Sequence, residues 1–411
     1  MLKNISLYRT LLMLLAASFA MSSCNKDDDD DKTPTTETVI LSGEITANRT
    51  LSADTIYQLD GYVVVQSGVT LNIEAGTIIK AELGTGTDAT VLVITRGAKI
   101  NAVGTASKPI IFTSVEDNIT AGQKFGTNLG KDDISLWGGI IILGNAKISA
   151  TDGDTETQIE GLPANSTFGV FGGTNDADDS GNFQYVSIRH TGTAIDDDNE
   201  LQGLTLGGVG TSTDISHVEV YASFDDGIEI FGGAVNVNNL LVAYANDDAL
   251  DLDMNYSGTI NNFYVVHEGG GAGNSGFEFD GPEGATYTSG KYTVSNGTIK
   301  SVGGSGRAAT LKSASQGTIQ DCAFIGFNNW VTVEGGSAIA NFLSGELEFN
   351  NCEFKVASLT GLVVANDSTQ VLAVETAFLA GTNTAVTTTT KGATISAFAA
   401  WTLADEQNLV D

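Results

Sequence analysis

The chain has 411 residues and a formal net charge of −31, because 50 Asp and Glu residues face only 19 Lys and Arg residues. This excess of acid excludes a nucleic-acid-binding protein, which needs clustered basic residues. Three cysteines are too few for a disulfide scaffold, and an apolar fraction of 41% is too high for a low-complexity disordered chain. The 49 glycines and only 4 prolines are typical of an all-β protein with many tight turns.

The first segment, residues 1–23, is predicted to be a secretion signal. A basic start precedes an apolar run from Leu11 to Met21, which is too short to span a membrane. Two serines and Cys24 follow. This arrangement resembles the signal peptide of bacterial lipoproteins, which implies that Cys24 is the lipidated, palmitate-bearing first residue of the mature protein. An ordinary signal peptide with an incidental cysteine is the alternative.

Residues 24–38 are predicted to be a disordered acidic tether. Five consecutive aspartates, Asp27–Asp31, form a like-charge run of the kind that stays solvated. The run resembles the acidic export signal of Bacteroidota lipoproteins, which implies a protein attached to the outer membrane and facing the cell exterior. We therefore expect a monomer that contacts the membrane through its lipid anchor.

Residues 39–411 are predicted to form a single domain of short stacked strands. Apolar–polar–apolar triplets indicate strands with one buried face and one exposed face. They recur about every 22–25 residues, a period that favours an all-β, right-handed parallel β-helix over a β-propeller. At roughly 24 residues per coil the domain would hold about 14 coils. The clearest triplets are Leu204-Thr205-Leu206, Ile228-Glu229-Ile230, Leu250-Asp251-Leu252 and Phe277-Glu278-Phe279.

The two ends of such a stack would expose unpaired strand edges, so terminal caps are expected. Residues 39–60 are predicted to cap the first coil. The apolar, alanine-rich stretch from Ala397 to Ala404, which runs on to Gln407, is predicted to form a short capping helix at the last coil. Cys322 and Cys352 occur in matching contexts and are expected to point inward on neighbouring coils, as free thiols or as a disulfide.

Three segments rich in glycine and acid carry a family resemblance: Gly203–Gly210, Asp225–Gly233 and Asp247–Asp253. They resemble a bacterial family of β-helical secreted proteins and lipoproteins, and the similarity extends over roughly residues 56–335. The resemblance implies the fold and the exported location, and it implies no particular activity.

Acidic residues of the middle coils form the main candidate site, which we call the acidic ladder. In-register parallel coils place equivalent side chains about 5 Å apart, and carboxylates at that spacing repel each other unless something neutralises them. Because Ca²⁺ accepts six to eight oxygen ligands in flexible geometry, we predict a calcium site. A solvated acidic face, with diverging carboxylates or shared protons, is the alternative. The ladder residues are Asp225, Asp226, Glu229, Asp247, Asp248, Asp251, Asp253, Glu278 and Asp280.

A second, weaker metal site is predicted at Asp176, Asp178 and Ser180. These residues match the start of a calcium-binding loop, but Ser187 stands where an EF-hand needs glutamate. An Asx-rich turn before the strand at Phe183 is the alternative.

Two classes of function fit these patterns. The first is a non-enzymatic surface lipoprotein whose acidic face and long loops bind a glycan, an ion or a surface protein. The second is a calcium-dependent polysaccharide lyase or glycoside hydrolase, because the ladder resembles β-helical lyases in which carboxylates hold calcium and a basic residue removes a proton. The middle coils have few basic and few aromatic residues, and this scarcity favours the first class. The residues implied in the enzyme are Asp251, Asp253, Asp280, Arg307 and Lys312.

Overall fold

The computed structural model describes residues 38–163, 166–196, 199–268 and 274–411. The predicted signal sequence, Cys24 and the tether up to residue 37 lie outside these ranges. The described residues belong to a unit that begins at Glu37. Within them, no helix has both the length and the apolar character needed to cross a membrane.

Short strands are the main regular secondary structure of the described chain, and three short helices follow late in the sequence. The helices are α1 (Gly336–Ser344), α2 (Val371–Leu379) and α3 (Leu403–Glu406), with 3-10 turns at Gly86–Asp88 and Ile395–Ala397. The strands are β1 (Thr38–Ile45), β2 (Arg49–Leu51), β3 (Ile56–Val65), β4 (Thr70–Ile73), β5 (Ile78–Ala81), β6 (Val91–Ile94), β7 (Lys99–Val103), β8 (Ile110–Ser114), β9 (Gly139–Leu143), β10 (Glu156–Gln158), β11 (Val170–Gly172), β12 (Gly181–Thr191), β13 (Thr193–Asp196), β14 (Asn199–Leu201), β15 (Leu204–Gly207), β16 (Asp214–Ser223), β17 (Ile228–Phe231), β18 (Asn236–Ala245), β19 (Leu250–Asp253), β20 (Thr259–His267), β21 (Phe277–Phe279), β22 (Tyr292–Ser301), β23 (Arg307–Leu311), β24 (Gly317–Gln320), β25 (Ala323–Ile325), β26 (Asn329–Val333), β27 (Leu347–Asn350), β28 (Glu353–Phe354), β29 (Val363–Ala365) and β30 (Thr384–Ala385).

Strands of successive coils pair in parallel and form three faces around an apolar core. Face 1 contains β2, β4, β7, the first halves of β12, β16, β18, β20 and β22, then β24 and β27. Face 2 contains the first parts of β1 and β3, then β5, β8, the second halves of the same long strands, β25, β28 and β30. Face 3 contains the last residues of β1 and β3, then β6, β9, β15, β17, β19, β21, β23, β26 and β29. The prediction of an all-β parallel β-helix is confirmed.

The number of coils is smaller than the predicted value of about 14. Face 3 runs through eleven strand segments of the described chain: β1, β3, β6, β9, β15, β17, β19, β21, β23, β26 and β29. The predicted number assumes that nearly every residue of the domain belongs to a coil. Long segments at 115–138, 144–180 and 280–291 leave the stack instead, so fewer residues remain to form coils.

The corner between faces 1 and 2 needs a left-handed backbone, which asparagine tolerates better than most residues. Asn239 and Asn262 occupy this corner on neighbouring coils with φ angles of 57° and 55°. The Asn262 side-chain amide donates a hydrogen bond of 2.5 Å to the Asn239 Oδ1 atom, so the corner residues also link the coils.

The C-terminal end is covered by α1 and α2. Phe342 of α1 and Phe378 of α2 are buried in the main core, and the Phe378 ring lies 5.4 Å from the Phe354 ring. The stretch from Ala397 to Gln407 lies elsewhere. Its Phe398 and Leu403 pack against Tyr221 and Tyr264 on the outside of face 2. The prediction that this stretch caps the last coil is therefore wrong, because its apolar side chains cover the flank of the stack.

Cys322 and Cys352 are buried free thiols. They lie on neighbouring coils, since the residues that follow them, Ala323 and Glu353, are register partners. Burial raises the pKa of the Cys322 thiol well above its ordinary value, so it stays protonated.

Candidate metal centre

The outward column of face 3 follows directly from strand register. Glu229 pairs with Asp251, and Asp251 pairs with Glu278. The polar part of the column begins at Thr205, next to Ile141 of the preceding coil, and continues through Thr310. Because the apolar residues that flank each polar one are buried in the core, the polar side chain must point outward. The register predicted from the triplets is confirmed.

The turns before β17 and β19 add four aspartates, and two of these also support the coils. One Asp226 carboxylate oxygen accepts a hydrogen bond of 2.9 Å from the Asp248 backbone N–H group. One Asp248 oxygen accepts from the Ser275 N–H group in the same way. Asp226 itself donates its N–H group to the Gln202 side chain at 3.3 Å. Asp226 and Asp248 therefore each use one oxygen to hold the next coil.

The remaining carboxylate oxygens converge. Three overlapping groups each bring one oxygen per residue within 4.8 Å of the others. Asp226, Glu229 and Asp248 are only 5%, 5% and 4% exposed. Among the described residues, Glu229 Oε2, Asp251 Oδ1 and Asp280 Oδ1 are buried and have no hydrogen-bond partner. The three groups are Asp225–Asp226–Asp247, Asp226–Glu229–Asp251 and Asp248–Asp251–Glu278.

Burial and mutual repulsion make these carboxylates hard to ionise. Burial first, and then the neighbouring charges, raise the pKa of Asp226, Glu229 and Asp251 well above the ordinary range. The same causes raise the pKa of Asp225 to about 7. A buried carboxylate needs a hydrogen bond or a counterion, so near neutral pH the site must hold protons or a cation.

Lys312 supplies a positive charge at one end of the ladder. Its Nζ atom contacts Glu278 Oε1 and lies 3.8 Å from Asp280 Oδ2. Burial alone would lower the pKa of Lys312, but Asp280 and Glu278 raise it well above its ordinary value. In the described chain, no Lys or Arg forms an ion pair with Asp226, Glu229 or Asp251. The charge deficit is therefore located at the opposite end from Lys312.

The other residues of the predicted enzyme are only partly brought together. Asp253 and Asp280 act on each other's pKa, and burial raises the pKa of Asp280 to about 6. Arg307 points away from them. Its Nη1 atom lies 3.6 Å from Glu334 Oε1 and donates to Thr310 Oγ1 at 3.1 Å.

Glu160 is a member of the site that the sequence analysis missed. It comes from the long segment 144–180, which we call the insertion, and its Oε1 atom accepts a hydrogen bond of 3.0 Å from the Gln202 side chain. Burial raises the pKa of Glu160 to about 7, while hydrogen bonds with Glu229 and Gln202 act in the opposite direction. The insertion lies outside the coil repeat. The position of Glu160 therefore could not be predicted from the columns of equivalent residues on successive coils. Its one sequence signal is a lone acid between the apolar residues Ile159 and Leu162.

The residues of the weaker predicted site have partners within the chain. Asp176 Oδ2 lies 2.5 Å from the Lys147 ammonium group. Asp178 Oδ2 accepts a hydrogen bond of 3.1 Å from the Ser180 hydroxyl group. The structure thus brings Asp178 and Ser180 together and directs Asp176 to a lysine.

These features define a parallel β-helix that carries a converging set of carboxylates on one face, and some of their oxygens have no hydrogen-bond partner among the described residues. The family model of the pectate-lyase-like β-helix domain matches residues 43–404, and the chain belongs to this family. No curated protein and no solved structure matches the chain. The β-helix family expected from the sequence is therefore confirmed, and the bacterial lipoprotein origin stays a prediction.

Proposed function

We propose that this chain is a calcium-binding β-helix that acts as a non-enzymatic binding protein at the cell surface. The observation that carries the proposal is the group Asp226–Glu229–Asp251. Its oxygens lie within 4.8 Å of one another, and Glu229 Oε2 and Asp251 Oδ1 have no partner in the described chain. Lipid attachment at Cys24 would hold the protein at the outer membrane.

The donor set favours calcium over other metals. All candidate ligands are carboxylates, and such hard oxygen donors suit Ca²⁺ and Mg²⁺ better than zinc or copper. Mg²⁺ needs a near-ideal octahedron, whereas Ca²⁺ accepts irregular sets of six to eight oxygens. Asp226 and Asp248 are held by the backbone of the next coil and cannot adjust freely, which favours the more tolerant ion.

The proposal is tested by calorimetric titration of the chelator-treated full chain with calcium. We expect binding with a stoichiometry of at least one ion, and a loss of affinity of about tenfold or more in Asp251→Asn. Asp176→Asn is the matched control, because that aspartate lies outside the ladder and pairs with Lys147. Absence of calcium binding by the unmodified chain would refute the proposal.

The bound metal and its surroundings would then serve to bind a hydroxyl-rich partner such as a glycan. A cavity of about 540 Å³ adjoins the ladder at Asp280 and is lined by Thr151, Glu283, Ser313 and Ser337. These side chains offer hydroxyl and carboxylate groups, which suit the hydroxyl groups of a saccharide. A glycan array probed with and without calcium identifies the partner, and calcium-independent or absent binding would remove this part of the proposal.

The same cavity supports an enzymatic alternative of a specific kind. Asp280 lines it, and burial raises the pKa of Asp280 to about 6, so this carboxyl group can hold the proton that the general acid of a glycoside hydrolase donates. A lyase is less well supported, because Lys312 is held protonated and Arg307 is engaged by Glu334. A screen of neutral polysaccharides and uronans separates these cases: new reducing ends lost in Asp280→Asn would establish a hydrolase, and unsaturated ends a lyase.

A further inference from the structure

We propose that Glu160 is an additional ligand for the calcium ion at Glu229, so that the ion fastens the insertion to face 3. This inference rests on the proposed function, because it requires that the ladder binds calcium. It adds a residue from outside the repeating coils to the site. It also predicts that calcium stabilises the docked conformation of the insertion.

The insertion is built to deliver Glu160 to one place. The residues on both sides, Ile159 and Leu162, are buried in an apolar cluster that also holds Phe171 and the face 3 residues Val93 and Leu143. The Ile159 N–H group donates to the Gly169 carbonyl oxygen at 2.9 Å, and β10 pairs with β11 in antiparallel register. Glu160 therefore lies between two fixed apolar anchors.

Two glycines allow the insertion to approach this closely. Gly161 has a φ angle of 69°, and a Cβ atom there would lie 2.7 Å from the Glu200 carbonyl oxygen. Gly207 is the register partner of Phe231 on face 3, and a Cβ atom there would lie 2.9 Å from the Phe171 ring. A side chain at either position would push the insertion outward and move Glu160 away from the ladder.

Glu160 meets the ladder where positive charge is lacking. Glu160 and Glu229 act on each other's pKa, and the charges of Glu200 and Glu283 also act on Glu160. Gln202 connects the two parts, since its amide nitrogen donates to Glu160 and its oxygen accepts from the Asp226 N–H group. Glu229 is 5% exposed, and its Oε2 atom has no partner in the described chain. A cation at this point would touch both the insertion and the coil.

This geometry predicts that the site weakens the contact between the insertion and the ladder without calcium and strengthens that contact when calcium is bound. When Glu160 and Glu229 are both ionised and no cation is present, they repel each other and weaken the contact between insertion and ladder. A shared cation converts the repulsion into attraction. Because a ligand stabilises only the state that binds it, calcium would slow local opening of the insertion.

The experiment is hydrogen–deuterium exchange of the full chain at pH 8, read by mass spectrometry for peptides covering β10 and β11, with and without calcium. Calcium affinity is measured on the same samples by calorimetry. The test variant is Glu160→Gln, whose amide oxygen can still accept from Gln202. The matched control is Glu156→Gln, which changes an exposed acid of the same insertion that pairs with Arg96.

In the unmodified chain and in Glu156→Gln we expect calcium to slow exchange in the insertion about tenfold or more. In Glu160→Gln we expect less than about a twofold change, together with a calcium affinity lowered about five- to tenfold. Equal protection in Glu160→Gln and the unmodified chain, with calcium still bound, would overturn this inference and leave the proposed function intact. Absence of calcium binding in all three proteins would refute the proposed function itself.

Discussion

Faces 2 and 3 both contain buried carboxylates. On face 2 the chain supplies hydrogen-bond donors to both oxygens of the buried carboxylate, whereas on face 3 some carboxylate oxygens have no partner among the described residues. On face 2, Arg189 and Glu219 are both fully buried, with Arg189 Nη2 at 3.9 Å from Glu219 Oε2. Glu219 also accepts hydrogen bonds from the Ser187 hydroxyl group and from the N–H groups of Leu403 and Ala404, at 2.5, 3.0 and 2.9 Å. On face 3, Glu229 and Asp251 have oxygens without such partners among the residues that the structure describes.

The difference separates a structural use of buried charge from a functional one. The Glu219 carboxylate holds the C-terminal segment against face 2, so its charge serves the fold. The ladder concentrates many carboxylates at one end with a single lysine at the other. A fold has no need of such an arrangement, since apolar or hydroxyl side chains would fill the column at lower energetic cost, as Thr205 and Thr310 do elsewhere in it. The proposed calcium ion would supply the positive charge that the described chain does not place at this end of the ladder.

The largest effect is expected on face 2. Glu219→Ala removes the acceptor for three hydrogen bonds and leaves Arg189 buried without an opposite charge. We expect the free energy of unfolding to fall by about 3–5 kcal/mol, equally with and without calcium, as measured by chemical denaturation. A loss that calcium reverses would break the distinction between the two faces.

The second effect is a pH dependence dominated by the carboxylates of face 3. The buried His190 and His267, whose pKa is lowered to about 4, act in the opposite direction but are fewer. Asp225 has a pKa of about 7 in the fold and an ordinary value of 3.8, so the folded state holds its proton more tightly than the unfolded state. Its stabilising contribution is complete below pH ~4 and is lost as the pH rises toward 7. Without metal, we expect the free energy of unfolding to fall by about 2 kcal/mol or more between pH 5 and pH 8.

Calcium should remove most of this pH dependence, because it takes over the neutralisation that protons provide at low pH. The measurement is denaturation at both pH values in chelator and in excess calcium. Because His190 and His267 act in the opposite direction, the same measurement on Asp225→Asn isolates this carboxyl group. An equal change from pH 5 to pH 8 in both metal-free proteins would contradict the raised pKa of Asp225.

A smaller effect of opposite sign is expected for Glu229→Gln. Removing a buried carboxyl group whose Oε2 atom has no partner in the described chain should raise the free energy of unfolding of the metal-free chain at pH 8 by about 1–2 kcal/mol. The same substitution should lower calcium affinity about tenfold or more. Glu348→Gln, on an exposed position of β27, is the control. Destabilisation of the metal-free chain by Glu229→Gln would show that Glu229 serves the fold.

The smallest effect is expected at the weaker predicted site. Asp176→Asn breaks a half-exposed ion pair with Lys147, so stability should change by less than about 1 kcal/mol. Calcium affinity should change less than about twofold. A clear loss of affinity would place a second calcium ion at Asp176, Asp178 and Ser180.

The positions of residues in the repeating coils could be predicted from the sequence, and the positions of segments outside the repeat could not. Triplets such as Ile228-Glu229-Ile230 encode both the buried and the exposed side of a strand, so the register of Glu229, Asp251 and Glu278 followed from them. Lys312 was identified for the same reason, as the next residue along a column.

Glu160 and the C-terminal segment could not be placed in this way. Where an insertion or a tail docks is decided by long-range packing, such as Phe171 on Gly207 or Phe398 beside Tyr264, and no period records such contacts. The alanine-rich stretch after Ala397 indicates a short helix equally well at an end or on a flank. Only the folded chain shows that Glu219 receives it.

The central claim is that calcium occupies the end of the ladder away from Lys312. Its most direct test is an anomalous difference map from crystals of the full chain grown with terbium as a calcium substitute. The account predicts a peak within about 2.3–2.6 Å of oxygens from Asp226, Glu229 and Asp251. A map with no terbium peak at these three residues would contradict the claim.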